Sequence, residues 1–335
     1  MNSHFVKFKN TFNLSTQKAA VAAYKKIQEL HLGLDTENAD FKALGRLLDG
    51  AAVKAMQQVF ENQADFYVEI RGSEGRKDTR RDGIESPDLY GSYGNKEGMT
   101  VEIVNDAVEG TAFASRNIPG ATSVLAACLN QKNGFVQTGD YDYMSKLFGP
   151  PALKGKISLE LSAGENIKIA LHELKIKNPL DLSVVVLDRP RNSFAIDAAL
   201  ELGVNLILIP GGDLMPGILA ALDPKELHRL KISKIPQGTK GILLMGSGGW
   251  EEGIISAAAA KAVGGHAQGR IYSENTEETE QAKILEASDL IPADPESILV
   301  SATPITDDLW FGVSGIDQDF KHKTICVTSK GLEIL

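Results

Sequence analysis

The chain has 335 residues, 43% of them hydrophobic and 24% charged, and carries a formal net charge of −9. That length buries a large core, as one two-part unit or as two domains. The negative charge excludes a general nucleic-acid binder, whose affinity rests on Lys and Arg neutralising phosphates, but leaves open a small anionic substrate held by metals and a few local cations.

In chain order, the first hundred residues read mainly as helix. Ser15 or Thr16 is the expected cap of a helix running to about Leu32. Residues 41–60 carry Leu44, Leu47, Leu48, Ala51, Ala52, Ala55 and Val59 at helical spacing, interrupted by Asp49. The plain reading of Asp49 is a solvated or capping carboxylate, because burying it without a partner or metal is costly. Residues 65–70 read as a short strand, and 72–97 as a polar loop rich in both charge signs. Val101, Ile103 and Val104 then predict a strand ending in Asp106, Glu109, Gly110 and Thr111. Residues 120–129 read as a further core segment, and Gly149-Pro150-Pro151 as a breaker.

From Ser183 onward strands and helices alternate. Residues 184–187 and 204–209 have the near-continuous apolar character of strands buried on both faces. Helices are expected at 193–202 and 214–222, and a third strand at 241–245. A glycine-rich turn at 246–249 then leads to a helix over 250–263, and short strands follow at 298–301, 310–313 and 324–327. This order predicts a layered α/β protein, α+β in its N-terminal part, with subdomains over 1–180 and 181–335 and the active site between them. Cys128 and Cys326 sit in apolar settings and read as buried free thiols of a reducing cytoplasm. No Cys/His cluster suggests zinc. No signal-peptide layout and no apolar run of ~18 residues appears, so a soluble cytoplasmic protein is expected.

Several constellations carry chemistry. Asp106 and Glu109 offer the hard oxygens that Mg²⁺ and Mn²⁺ accept, while Gly110 admits an anion close to the backbone and Thr111 adds a hydroxyl. The bland alternative is a turn with a solvated Asp and a helix cap at Thr111. Gly246–Gly249 feeds a helix that begins with Trp250, Glu251 and Glu252, where N–H groups favour an anion. Asp188-Arg189-Pro190-Arg191 and Gly211-Gly212-Asp213 both follow strands, so three strand ends converge on one rim. His266, in a glycine-rich stretch, reads as a structural or exposed residue sooner than a base.

Together these segments resemble the class II fructose-1,6-bisphosphatases, of the metal-dependent, lithium-sensitive sugar and inositol phosphatase superfamily. The match covers most of the chain, in order. Asp49-Gly50-Ala51-Ala52-Val53 resembles the family's Asp-Gly-Ala-Ala-Val, and Asp106–Thr111 its Asp-Pro-Ile-Glu-Gly-Thr, with Ala107 for Pro. Tyr143-Met144-Ser145-Lys146 is similar to Tyr-Met-x-Lys, Arg189-Pro190-Arg191 to Lys-Pro-Arg, and Gly211-Gly212-Asp213 to Asp-Gly-Asp. Gly249-Trp250-Glu251-Glu252-Gly253 stands where the family has Gly-x-Pro-Glu-Gly, and Gly269-Arg270 matches Gly-Arg.

The resemblance implies a layered sugar-phosphatase fold, with two subdomains of mixed sheets sandwiched by helices. It implies Mg²⁺ or Mn²⁺ held by Asp49, Asp106, Glu109 and Glu252, with Glu74 as the fifth ligand and Asp78 or Asp82 as alternatives for that place. Thr111, beside Glu109, would orient the attacking water. Substrate contacts would fall on Glu109, Gly110, Thr111, Tyr143, Arg189, Pro190, Arg191, Gly211, Asp213 and Gly249. The implied activity is hydrolysis of a sugar bisphosphate, most simply fructose 1,6-bisphosphate, by a homo-oligomer with no nucleic-acid or membrane partner. Gly211 in place of Asp, Arg189 in place of Lys and the altered 72–97 loop bear on substrate choice. They keep open sedoheptulose bisphosphate, an inositol phosphate or another phosphometabolite, or a non-catalytic sugar-phosphate binder.

Overall fold

The structure is a computed structural model that describes residues 3–32, 34–74, 87–137, 141–230, 234–273 and 282–335. Asp78 and Asp82, the alternatives to Glu74, lie outside the described residues. Two mixed sheets lie between layers of helices, the layered α/β arrangement that the sequence predicts.

The first sheet has seven strands: β1 (Phe66–Ser73), β2 (Ser92–Gly94), β3 (Met99–Glu109), β4 (Thr122–Leu129), β11 (Ile298–Pro304), β12 (Ile325–Thr328) and β13 (Gly331–Ile334). Their order is β13-β12-β11-β4-β3-β1-β2, antiparallel except for the parallel pair β1 and β3. The second sheet has six: β5 (Tyr143–Gly149), β6 (Leu182–Leu187), β7 (Asn205–Ile209), β8 (Gly241–Gly249), β9 (His266–Tyr272) and β10 (Leu285–Glu286). They run in the order β10-β9-β5-β8-β6-β7, with β6 parallel to both β7 and β8.

Three apolar clusters glue the layers. Helices Ser3–His31 and Phe41–Glu61 place Phe8, Phe12, Leu48, Met56 and Phe60 against Val101, Ile103, Leu125 and Ala127 of the first sheet. The opposite face of that sheet, through Val104, Val124 and Ala126, meets the helix Trp250–Val263, which also packs on Met144 and Phe148 of the second sheet. This central helix is apolar all round, and its run of alanines lets it lie between two sheets. On the outer face of the second sheet, helices Ala163–Glu173 and Ser193–Glu201 cover Leu147, Val184, Val186, Leu243 and Met245.

Some elements differ from expectation. The first helix begins at Ser3, not at a Ser15 or Thr16 cap. Those hydroxyls are buried and bond back to Phe12 O at 2.7 Å and Asn13 O at 3.0 Å, while Phe8 and Phe12 extend the apolar stripe upstream. The glycine-rich residues 246–249 continue β8 instead of turning, because β5 pairs with them residue for residue. β7 is the edge of its sheet and is only partly buried, not covered on both faces. Residues 310–313 form no strand; their backbone is organised by the Asp308 carboxylate, which accepts from Trp310 N at 3.1 Å and from Phe311 N. The strand membership does not divide at residue 180, since β5 belongs to the second sheet and β11, β12 and β13 return to the first.

Candidate active site

The site grows from the end of β3. Asp106 pairs with Val124 and Glu109 with Thr122, so three steps on β3 oppose two on β4. In a regular strand, side chains three residues apart face opposite ways; the extra residue of this bulge turns both carboxylates to one side. Asp106 Oδ1 fixes the bulge by accepting from Val108 N at 2.9 Å. Gly110 then takes a left-handed φ of 79°, where an added Cβ would lie 2.8 Å from Gly120 O. That turn starts the short helix Thr111–Ala114.

Parallel pairing of β1 with β3 sets Ser73 beside Asn105, which carries the next residue, Glu74, to the same sheet edge. Carboxylate oxygens of Glu74, Asp106 and Glu109 all lie within 4.8 Å of one another. Asp49 comes from the opposite direction, on the Phe41–Glu61 helix. Thr111 Oγ1 lies 3.1 Å from Asp49 Oδ1 and 2.9 Å from Val108 O. Asp49 is thus turned toward the site instead of serving as a solvated cap. Glycine at 45 permits this docking, since a Cβ there would be 2.7 Å from the Thr111 methyl.

The central helix supplies Glu252. A Cβ on Gly249 would lie 1.8 Å from Glu252 Oε2, so the carboxylate folds back over the bare glycine. Burial pushes the Glu109 carboxyl well above the ordinary range, and Glu252, Glu74 and Asp213 add negative potential. Asp106 is raised well above its usual value by burial first, then by Glu74 and Glu109. Asp106 and Glu109, buried beside the half-buried Glu74 and Glu252, need protons or a cation to persist together.

The second sheet brings positive charge. Lys146, on β5, reaches both oxygens of Asp213 at 2.8 Å, and the two side chains are 2% and 6% exposed. A Cβ on Gly248 would strike Asp213 Oδ2 at 2.3 Å, so glycine makes room for the pair. Asp213 follows Gly211 and Gly212; a Cβ on Gly212 would lie 3.5 Å from Glu109 Oε1, which ties this strand end to the carboxylate cluster. Gly211 lines a cavity of about 120 Å³ together with Glu109, Phe113 and Trp310. Tyr143 pairs across strands with Gly249, and the Arg191 guanidinium stacks over its ring at 4.8 Å while Nε donates to Ser247 O at 3.2 Å. Arg189 points elsewhere, donating to Asp188 O at 2.7 Å and Pro210 O at 2.6 Å, and Pro190 opens an exposed turn.

The structure therefore brings Asp49, Glu74, Asp106, Glu109, Thr111, Glu252, Asp213, Gly212 and Gly249 together, with Tyr143 and Arg191 one strand away. Sequence reasoning missed Lys146 as a site residue; its signal was a lone lysine inside an otherwise apolar strand. Asn192 was missed too. Its amide donates to Leu187 O and its oxygen accepts from Ser247 N at 2.7 Å, which locks the Arg191 turn to β8. His266 is not part of the site. It lies in β9 opposite Gly149, buried, with neither ring nitrogen hydrogen-bonded among the described residues.

The carboxylate cluster fits a divalent cation on its own chemistry. Its donors are all oxygen, and buried Asp106 Oδ2 meets no hydrogen-bond donor among the described residues. No helix among the described residues is long and apolar enough to cross a membrane.

Residues 15–334 match the family described as bacterial fructose-1,6-bisphosphatase, glpX-encoded. A relative in Prochlorococcus marinus is 32% identical over 305 residues, covering 84% of this chain and 84% of its own length. One in a Synechococcus species is 32% identical over 312 residues, covering 86% and 85% respectively. One in Synechococcus elongatus is 36% identical over 237 residues, covering 67% and 61%. All three are named D-fructose 1,6-bisphosphatase class 2/sedoheptulose 1,7-bisphosphatase.

Proposed function

This chain belongs to the bacterial fructose-1,6-bisphosphatase family, and from that premise we propose that it hydrolyses fructose 1,6-bisphosphate to fructose 6-phosphate and phosphate. The observation that carries the reading is the Glu74–Asp106–Glu109 cluster, half-buried at Glu74, buried at Asp106 and Glu109, and drawn within 4.8 Å, with Thr111 and Asp49 beside it. Asp49, Glu74, Asp106, Glu109 and Glu252 are the proposed ligands of Mg²⁺ or Mn²⁺, which oxygen donors accept alike. Bound there, a divalent ion supplies Lewis acidity toward a phosphoryl oxygen and water.

The chain's own residues do the positioning, which is most of what phosphoryl transfer requires. Thr111 Oγ1 can direct its hydrogen to Asp49 or Val108 O, leaving lone pairs to accept from and orient a water. Glu109 borders both the carboxylate cluster and the Gly212–Asp213 turn, so it stands where the reacting phosphate meets the sugar. Gly110 lets that phosphate approach the backbone. Lys146 holds Asp213 in one orientation, ready to accept from a sugar hydroxyl. Tyr143, Arg191 and Gly249 bound the far side of the substrate; Arg189 and Pro190 shape that turn, Arg189 through its bond to Pro210 O. The site thus draws on an N-terminal part and a C-terminal α/β part of the chain. Family resemblance further supports a cytoplasmic homo-oligomer.

A panel of sugar phosphates with Mg²⁺ and Mn²⁺ in parallel tests the reading: phosphate release should depend on added metal and be best with fructose 1,6-bisphosphate. Full activity in both Asp106→Asn and Glu109→Gln would refute it. A second substrate, sedoheptulose 1,7-bisphosphate, is supported by the relatives' names and by Gly211. The small residue leaves the cavity of about 120 Å³ open beside Glu109, where a longer sugar finds room. Comparable kcat/KM for the two bisphosphates is the expected result.

A further inference from the structure

On the outer face of the second sheet, beyond Tyr143, stands a cation that none of the roles above uses. β-register fixes its place. Tyr143 pairs with Tyr272 and Gly249, and two residues along, Ser145 pairs with Arg270 and Ser247. Cross-strand partners share a face and lie about 5 Å apart, while a two-residue step along a strand covers about 7 Å. Arg270 therefore sits one row beyond the Tyr143–Gly249 row and on the same face as Tyr143.

Its surroundings are unusual for an arginine. Nε is buried without a hydrogen-bond partner among the described residues. The side chain lines a cavity of about 100 Å³ with Ser145, Gly246, Asn166 and Phe194, and no Asp or Glu among the described residues lines it. The Asn166 amide is already committed: its oxygen accepts from Ser158 N at 2.9 Å and its nitrogen donates to Ser158 O at 2.8 Å. Lys146 belongs to the same cavity wall but directs its ammonium to Asp213. A half-desolvated guanidinium whose Nε has no acceptor among the described residues costs free energy unless an anion completes it.

The anion has a source in the site. Arg191 stands over Tyr143, so a group lying between the two rows meets Arg191 from the β6 side and Arg270 from the β9 side. Planar guanidinium forks on two sides suit a phosphate better than a hydroxyl. We propose that Arg270 binds the second, non-reacting phosphate of the bisphosphate substrate and so makes the enzyme select bisphosphates over monophosphates. This rests on the phosphatase reading above.

The test uses the metal-loaded enzyme and Arg270→Gln. KM for fructose 1,6-bisphosphate should rise roughly ten- to a hundredfold, the loss of one charge-assisted contact, with kcat held within about threefold. Affinity for fructose 6-phosphate, read as a competitive inhibitor and by calorimetry, should fall in parallel. For fructose 1-phosphate, kcat/KM should change less than threefold, and Arg270→Lys should recover part of the bisphosphate affinity. Should Arg270→Gln not fold, Ser145→Asp, which sets a carboxylate beside the guanidinium, should produce the same selective rise in KM. Equal losses on bisphosphate and monophosphate, or no change on either, would overturn the proposal. So would an inorganic phosphate site abolished by Arg270→Gln that fructose 6-phosphate does not compete for. If the wild type turns over no sugar phosphate, the phosphatase reading falls; loss of fructose 6-phosphate binding in Arg270→Gln would still uphold the anion contact.

Discussion

Asp106→Asn should stabilise the metal-free protein while destroying its response to metal. Asp106 shares a buried space with Glu74 and Glu109, their oxygens within 4.8 Å. At that separation two unit charges repel by about 3 kcal/mol with an effective dielectric of ~20. Asparagine removes the charge yet keeps Oδ1, the atom that accepts from Val108 N, so the bulge survives. The wild type relieves some repulsion by holding protons, since burial and the neighbouring carboxylates raise Asp106 and Glu109 well above the usual range. A net gain of ~1–3 kcal/mol at pH 8 follows, or roughly 1.5–4 °C in Tm for a protein of this size. The sign with pH is fixed: a carboxyl raised in the folded state binds more protons there than when unfolded, so wild-type stability falls as pH rises above the carboxylate range. The variant's advantage should therefore shrink between pH 8 and pH 5. Metal reverses the ranking, because an ion at a hundred times its Kd stabilises the wild type by ~2.7 kcal/mol and the variant by far less. Thermal unfolding in chelator and in excess Mn²⁺, each at both pH values, reads all of this. A variant less stable than wild type in chelator would refute the account of the cluster as mutually repelling carboxylates.

Three further outcomes follow from the packing. Lys146→Met leaves Asp213 buried without its ammonium and should cost about 3–5 kcal/mol in urea unfolding, while Lys146→Met with Asp213→Leu should recover much of it. Gly249→Ala puts a methyl 1.8 Å from Glu252 Oε2, so the carboxylate must move by about 1 Å or more; phosphate release should fall ~100-fold with the fold retained by circular dichroism. His266 is held neutral by burial, which lowers its pKa to about 4, so the unfolded chain binds the extra proton and stability should drop by roughly 3 kcal/mol as pH falls from 6.5 to 4. His266→Leu should remove that part of the slope, and an unchanged slope would show that the imidazole is hydrated or paired.

What the sequence makes legible is whatever depends on near neighbours. The apolar spacing of residues 41–60 became the helix Phe41–Glu61, and residues 250–263 became the helix Trp250–Val263 at the predicted ends. Convergence of the strand ends carrying Arg191, Asp213 and the lead-in to Glu252 was also readable, because chemistry-bearing residues recurred after apolar runs. What failed to show depends on a second chain segment. The Asp106–Glu109 bulge exists only in register with Thr122 and Val124 of β4. Residues 246–249, Gly-Ser-Gly-Gly, have turn composition, yet β5 pairs with all of them and tertiary pairing overrides propensity. Lys146 is a core residue only because Asp213, 67 positions on, neutralises it.

The division of charge between the sheets explains why the site needs its ligands to be complete. The first sheet and its covering helix contribute Asp49, Glu74, Asp106 and Glu109, an almost purely acidic wall. The second sheet contributes Lys146, Arg191 and Arg270, one of them already spent on Asp213. Glu252 and Asp213, reaching from the central layer and from the end of β7, raise the Glu109 carboxyl further and leave the acidic wall in excess. A phosphate alone would be repelled by that wall, and a divalent cation alone would leave Arg270 without a counter-ion. Cation and bisphosphate together satisfy both walls, the reacting phosphate against the cation and the distal one against the arginines. Each should therefore tighten the other's binding, and by thermodynamic reciprocity the two enhancements must be equal. Calorimetric titration of fructose 6-phosphate with inorganic phosphate, with and without Mg²⁺, measures one arm, and Mg²⁺ titrated with and without those ligands measures the other. Independent binding in both arms would show that the two walls do not act on one bound molecule.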